Sequence, residues 1–213
     1  MVFPRLYAIL DVDLTVARGL DPERVFDVWL EAGVRLIQLR AKSMPSGALL
    51  ALAARLAVRA KAAGALFLVN DRADVARLSG AGGVHVGQDD LTPAGVRAVV
   101  GPGAIVGLST HTPAQVEAAV ATPISYVAIG PVFATATKQG AADPAVGIAG
   151  VRLAAARAER AGLPVVGIGG LTLANAPDVI GAGAASVAVI SDLLAGDVAD
   201  RARAYLEALR TPA

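Results

Sequence analysis

Eight short apolar runs recur along this chain with helical stretches between them, and that rhythm limits the fold more than any other feature. The runs are Leu6–Asp11, Leu36–Arg40, Leu66–Asp71, Gly83–Gly87, Ile105–Thr110, Tyr126–Val132, Val165–Gly170 and Ser186–Ser191. Most are continuously apolar rather than alternating, as strands are when both faces are covered. The segments between them begin with helix signals. Asp21 precedes Pro22, and Thr92-Pro93 and Thr112-Pro113 place the same device before Ala94–Val100 and Ala114–Ala121. Further helices are predicted at Ser46–Ala63, Ala73–Leu78, Val151–Ala161, Ala174–Ala182 and Val198–Leu209, with Gly64, Gly101, Gly162 and Gly181 at helix ends. This alternation predicts an α/β fold, a single (β/α)8 TIM barrel over residues 1–213. An open doubly wound sheet is the runner-up, but no Gly-x-Gly-x-x-Gly follows the first strand. The stretch Ala134–Gly150, rich in Ala, Gly and Thr, exceeds the other connections and reads as a loop over the site.

Composition removes several function classes. Apolar residues make up 55% and aromatics only 4%, so aliphatic side chains must build the core. A net charge of +1, with the two signs interspersed, argues against a nucleic-acid binder while permitting a local positive pocket. The absence of cysteine excludes disulfides, thiolate metal sites and thiol nucleophiles. No apolar run reaches a membrane span without Gly, Pro or charge, so no membrane partner is expected. No basic and apolar leader precedes the first strand, and the expected location is the cytoplasm. Oligomeric state is not legible; a homo-oligomer is compatible with the sequence.

In a parallel barrel the C-terminal strand ends meet above the mouth. Strand two ends Gln38-Leu39-Arg40-Ala41-Lys42, giving an amide and two cations, and strand three ends Asn70-Asp71-Arg72. Strand four runs Gly83-Val84-His85-Val86-Gly87 into Gln88-Asp89-Asp90, and strand five ends Ser109-Thr110-His111. Strand six leads into Gly130-Pro131-Val132-Phe133-Ala134-Thr135-Ala136-Thr137-Lys138, where two hydroxyls and an ammonium can hold an oxyanion. Gly167-Ile168-Gly169-Gly170 and Ile190-Ser191 close the set. Cations and carboxylates converging on one mouth suggest a diphosphate neutralised by Mg2+, which takes one or two carboxylates plus phosphate oxygens and water. Asp71 and Asp90 are the carboxylates best placed for it. Each signal has a plainer rival. Asp90 could cap a helix, and Arg40 and Lys42 could snorkel at the surface. Gly169-Gly170 could simply serve a turn. His85, in mid-strand, reads as a satisfied interior histidine rather than a ligand, and His111 as a cap or a lining residue.

Taken together, these strand ends resemble the thiamine phosphate synthase family along nearly the whole chain. The shared words are Gln38-Leu39-Arg40-x-Lys42, Asn70-Asp71-Arg72, Gly83 through Asp90, Gly107-x-Ser109-x-His111-Thr112, Gly130-Pro131-x-Phe133-x-Thr135-x-Thr137-Lys138 and Gly167-Ile168-Gly169-Gly170. Two positions depart from the family pattern: Ala41 stands where Glu is usual, and Ala134 where Pro is common. The resemblance implies a transferase that joins an aminopyrimidine methyl diphosphate to a thiazole phosphate, or to its 2-carboxy form with loss of CO2, and releases pyrophosphate. It assigns Gln38, Leu39, Arg40, Ala41, Lys42, Asn70, Ser109 and Lys138 to the pyrimidine diphosphate. Thr135, Ala136, Thr137, Gly170, Ile190 and Ser191 fall to the thiazole phosphate, and Asp71 and Asp90 to Mg2+. Arg40, Lys42 and Lys138 become the catalytic cations, and the partners are small-molecule substrates. Two other classes compete. A thiazole tautomerase-like isomerase on the same barrel would need no diphosphate machinery, and a non-catalytic ligand-binding barrel would need no intact charged set.

Overall fold

The computed structural model describes residues 3–135 and 144–210. Eight parallel strands close a barrel in chain order: β1 (Leu6–Asp11), β2 (Leu36–Arg40), β3 (Leu66–Asn70), β4 (Gly83–Val86), β5 (Ile105–Thr110), β6 (Tyr126–Ile129), β7 (Val165–Ile168) and β8 (Ser186–Val189). β8 pairs back onto β1, with Leu6 beside Val187, so no strand edge is left open. Around them run α1 (Val12–Ala17), α2 (Pro22–Ala32), α3 (Ser46–Ala62), α4 (Ala73–Ser79), α5 (Pro93–Val100), α6 (Pro113–Val120), α7 (Gly147–Glu159), α8 (Ala176–Gly181) and α9 (Val198–Ala208). The Asx/Thr-Pro starts act as read from the sequence. Asp21 accepts from Glu23 N–H, Thr92 from Gly95 N–H and Thr112 from Gln115 N–H, each ahead of a proline.

Side chains alternate between two cores. Leu6, Ala8 and Leu10 face the helices, while Tyr7 and Ile9 enter the lumen with Leu36, Leu68, Ile105, Tyr126 and Val166. Each fully buried aliphatic contributes about 1.5–3 kcal/mol. Climbing a strand in steps of two turns the lumen from apolar to polar. β2 goes Leu36, Gln38, Arg40; β3 goes Leu68, Asn70; β5 goes Ile105, Gly107, Ser109. That gradient puts the polar chemistry at the C-terminal end of the barrel.

Several boundaries differ from the sequence expectation. α1 was not anticipated, because Val12–Ala17 alternates polar and apolar residues after Asp11 and no Gly or Pro separates it from β1. Asp11 caps it by accepting from Leu14 N–H. β3, β4, β6, β7 and β8 stop short of the ends read from the sequence, leaving Asp71, Gly87, 130–132, Gly169-Gly170 and Ile190-Ser191 outside the strands. α7 starts at Gly147 rather than Val151, so the connection after β6 ends at Val146 instead of Gly150. α8 starts at Ala176 rather than Ala174, since the Asn175 side-chain Oδ1 accepts from Thr172 N–H and holds a turn there.

Candidate active site

At the mouth, Arg40 and Asp11 are register partners on adjacent strands, and the Arg40 guanidinium donates to the Asp11 carboxylate. The Arg40 side chain is only 20% exposed. It is therefore a fixed mouth residue and does not snorkel. Asp11 was missed by the sequence reading, although an apolar run ending in a carboxylate is the same signal used for the other strands. Leu39 and Ala41 point the other way, into the core between strands and helices. Only their backbone can meet a ligand in the mouth.

Beyond the strand, Lys42 Nζ stands 3.5 Å from Asp71 Oδ2. Asp71 adopts a left-handed backbone, φ 62°, and its N–H donates to the His85 carbonyl at 2.7 Å. Burial pushes the Asp71 carboxyl above its usual range. The charge and hydrogen-bonding reach of Asp90 push the same way, and Lys42 opposes them. Asp90 is not spent on capping: Thr92 caps α5, while Asp90 Oδ2 accepts from Gly87 N–H at 2.8 Å. Two carboxylates therefore meet beside a lysine. Among the described residues no group of three or more His, Asp, Glu or Cys gathers to cage a metal. One or two carboxylates are the protein share that Mg2+ usually takes, its other ligands being phosphate oxygens and water.

Asn70 closes β3 in register with His85. Below it, five side chains are linked across the lumen. Gln38 Nε2 donates to Tyr7 Oη at 2.6 Å, and Tyr7 Oη lies 3.0 Å from Tyr126 Oη. Tyr126 Oη lies 2.8 Å from His85 Nδ1, and His85 Nε2 lies 2.8 Å from Ser109 Oγ. Burial lowers the His85 pKa to about 4 and raises those of both tyrosines. His85 is the satisfied interior histidine that its mid-strand position suggested. His111 Nδ1 lies 2.5 Å from the Gly130 carbonyl and ties the end of β5 to that of β6.

The opposite side of the mouth is built from backbone. Val132 N–H donates to Ile168 O at 2.8 Å and Phe133 N–H to Gly169 O at 3.0 Å. Gly169 and Gly170 have φ 96° and 65°. A Cβ on Gly170 would fall 2.7 Å from the carbonyl oxygens of Phe133 and Ala134. These glycines thus have a packing reason to be there, and they let the backbone of Phe133 and Ala134 lie against the β7 end. Ile190 caps a 3₁₀ turn, Ser191–Leu194, and Ser191 O accepts from Arg18 at 2.9 Å. Asp192 in that turn accepts from Leu173 N–H, Arg201 and Tyr205, which anchors the turn to α9. Loops after β7 and β8 with a short extra helix form the phosphate site of many barrels. Arg18 was missed because nothing local links residues so far apart in sequence. Ala136, Thr137 and Lys138 lie outside the described residues, as does the centre of the expected loop.

Known proteins resemble this chain over most of its length. A family described as thiamine monophosphate synthase matches residues 6–193. The thiamine-phosphate synthase of Koribacter versatilis is 46% identical over 213 residues, covering 98% of this chain and 97% of that protein. That of Gloeobacter violaceus is 44% identical over 176 residues, covering 83% of this chain but 50% of that longer protein. Among solved structures, thiamine phosphate pyrophosphorylase from Pyrococcus furiosus superposes with a TM-score of 0.84 at 29% identity, over 97% of this chain and 95% of that one.

Proposed function

The chain belongs to the thiamine monophosphate synthase family, and from that premise we propose that it joins 4-amino-2-methyl-5-(diphosphooxymethyl)pyrimidine to 4-methyl-5-(2-phosphooxyethyl)thiazole. The products are thiamine phosphate and pyrophosphate, and the 2-carboxy thiazole is an alternative acceptor that also loses CO2. What carries the reading is the convergence of Arg40, Lys42 and the Asp71–Asp90 pair on one mouth, a set suited to a diphosphate leaving group.

The bond between the methylene carbon and the bridging oxygen breaks, and its electron pair leaves with pyrophosphate. The aminopyrimidine ring delocalises the resulting cation, and the thiazole nitrogen lone pair forms the new C–N bond. No side-chain nucleophile is required. Arg40, held by Asp11, donates to the departing oxygens from a fixed position, and Lys42 adds charge at the rim. Lys138 is assigned to the same diphosphate by resemblance alone. Asp71 and Asp90 would hold Mg2+, which would supply further neutralisation of the leaving group. Gln38, Asn70 and Ser109 orient the pyrimidine. Thr135, Ala136, Thr137, Gly170, Ile190 and Ser191 position the thiazole phosphate, so that its nitrogen faces the methylene. Incubation of the protein with both substrates and Mg2+, followed by mass detection, should yield thiamine phosphate. Recovery of both substrates intact would sink the assignment.

A further inference from the structure

The polar chain crossing the lumen ends at Gln38 and Ser109, the two residues that the proposed function gives to the aminopyrimidine, and the inference below rests on that reading. The structure assigns one direction to this chain: Gln38 to Tyr7 to Tyr126 to His85 to Ser109, with His85 protonated on Nε2 and Ser109 left to donate its only hydrogen to the substrate ring. Tyr7, Tyr126 and His85 are thereby positioning residues for substrate selection.

The direction follows from counting hydrogens. Gln38 Nε2 can only donate, so Tyr7 Oη accepts. Tyr7 is 1% exposed, and Tyr126 Oη is the remaining partner at hydrogen-bond distance for its hydrogen. Tyr126 is fully buried and, having accepted from Tyr7, gives its own hydrogen to His85 Nδ1. Having accepted that hydrogen, Nδ1 carries none of its own, so the ring's one N–H lies on Nε2 and points at Ser109 Oγ. Running the chain backwards would require Gln38 to present its carbonyl oxygen to Tyr7. The barrel makes room for the central link. A Cβ on Gly107 would fall 2.0 Å from the Tyr126 ring, so β5 carries no side chain there. The Tyr126 ring stacks on His85 at 5.6 Å between centroids and 19° between planes.

The two ends then differ in kind. Ser109 offers a donor, and Gln38, with its nitrogen held by Tyr7, keeps its carbonyl oxygen as an acceptor. A ring nitrogen next to an amino group presents the complementary acceptor and donor. A 4-oxo pyrimidine turns its carbonyl oxygen toward the Gln38 oxygen, acceptor against acceptor, and its ring N–H leaves the Ser109 hydrogen without a partner while the Ser109 oxygen can still accept. The chain therefore selects the amino ring over its deaminated form, and buried polar groups left unpaired make such selection steep.

Two measurements test this. The 15N shifts of His85 in the ligand-free protein report the ring tautomer whatever the enzyme does. An Nε2–H ring at neutral pH is expected, and an Nδ1–H ring or a mixture would overturn the direction. Second, the ratio of kcat/KM for the amino diphosphate to that for its 4-oxo analogue should exceed about 100-fold in the wild type, and should fall at least about 10-fold in Tyr126→Phe. KM for the thiazole phosphate should not change. An unchanged ratio in a folded Tyr126→Phe protein would overturn the positioning role. If wild-type protein turned over neither pyrimidine, the proposed function would fail while the tautomer measurement still decided the chain.

Discussion

Asp71 sits where an L-residue is sterically disfavoured and where Asn and Asp are the commonest occupants other than glycine. Its carboxyl is also raised by burial and by Asp90. A folded-state pKa above the unfolded value means that stability falls as pH rises through that window, so in neutral solution the metal-free carboxylate is a cost. Asp71→Asn should therefore raise Tm in chelator and also abolish most turnover; a lower Tm would show that the carboxylate pair is not repulsive. His85 has the opposite sign. Its pKa of about 4 lies below the ordinary 6.5, so the unfolded chain binds more protons between those values. Stability from this ring is present above pH ~6.5 and lost as pH falls toward ~4, by at most about 3 kcal/mol. Denaturant titrations of wild type and His85→Gln should show the wild type losing more between pH 6.5 and 4. Parallel curves would contradict the buried neutral ring.

At the scale of elements, the strands and most helices could be read from the sequence because apolar runs and Pro-containing caps are local signals. α1 could not, since its alternating polar and apolar residues follow β1 with no Gly or Pro between them. The lumen chain was equally hidden: Tyr7 and Tyr126 lie inside apolar runs and look like core, and only barrel closure brings Tyr7, His85 and Tyr126 together. The Gly169-Gly170 corner was legible as a turn but not as a contact between the β6 and β7 ends. Gly170→Ala should lose more stability than Gly19→Ala. Both have left-handed φ, which costs about 1–2 kcal/mol for a residue with a Cβ, but a Cβ on Gly19 meets nothing within 4 Å. The same substitution should raise KM for the thiazole phosphate more than for the pyrimidine diphosphate, because it displaces the backbone next to Thr135. Equal stability losses at the two glycines would remove the close approach from the account.

Across the whole molecule, the barrel draws single residues from distant strands into one charged mouth. Arg40 takes its partner from β1, Lys42 faces the end of β3, and Arg18 reaches the turn after β8. The strand ends pointed to Arg40, Lys42, Asp71 and Asp90, which lie together there, while Ala136, Thr137 and Lys138 lie outside the described residues. Those ends did not foretell the supporting groups: Asp11 needs β1 beside β2, Arg18 needs β1 closed on β8, and Asp192 needs α9 packed on the turn after β8. The central claim is that this mouth releases pyrophosphate from a metal-bound diphosphate. The most direct measurement follows pyrophosphate release from both substrates while Mg2+ is titrated, in wild type and Asp71→Asn. The account predicts a rate that rises from near zero in chelator to saturation in the wild type and stays at least about 100-fold lower in the variant. Release that continues unchanged in chelator, or survives in Asp71→Asn, would contradict it.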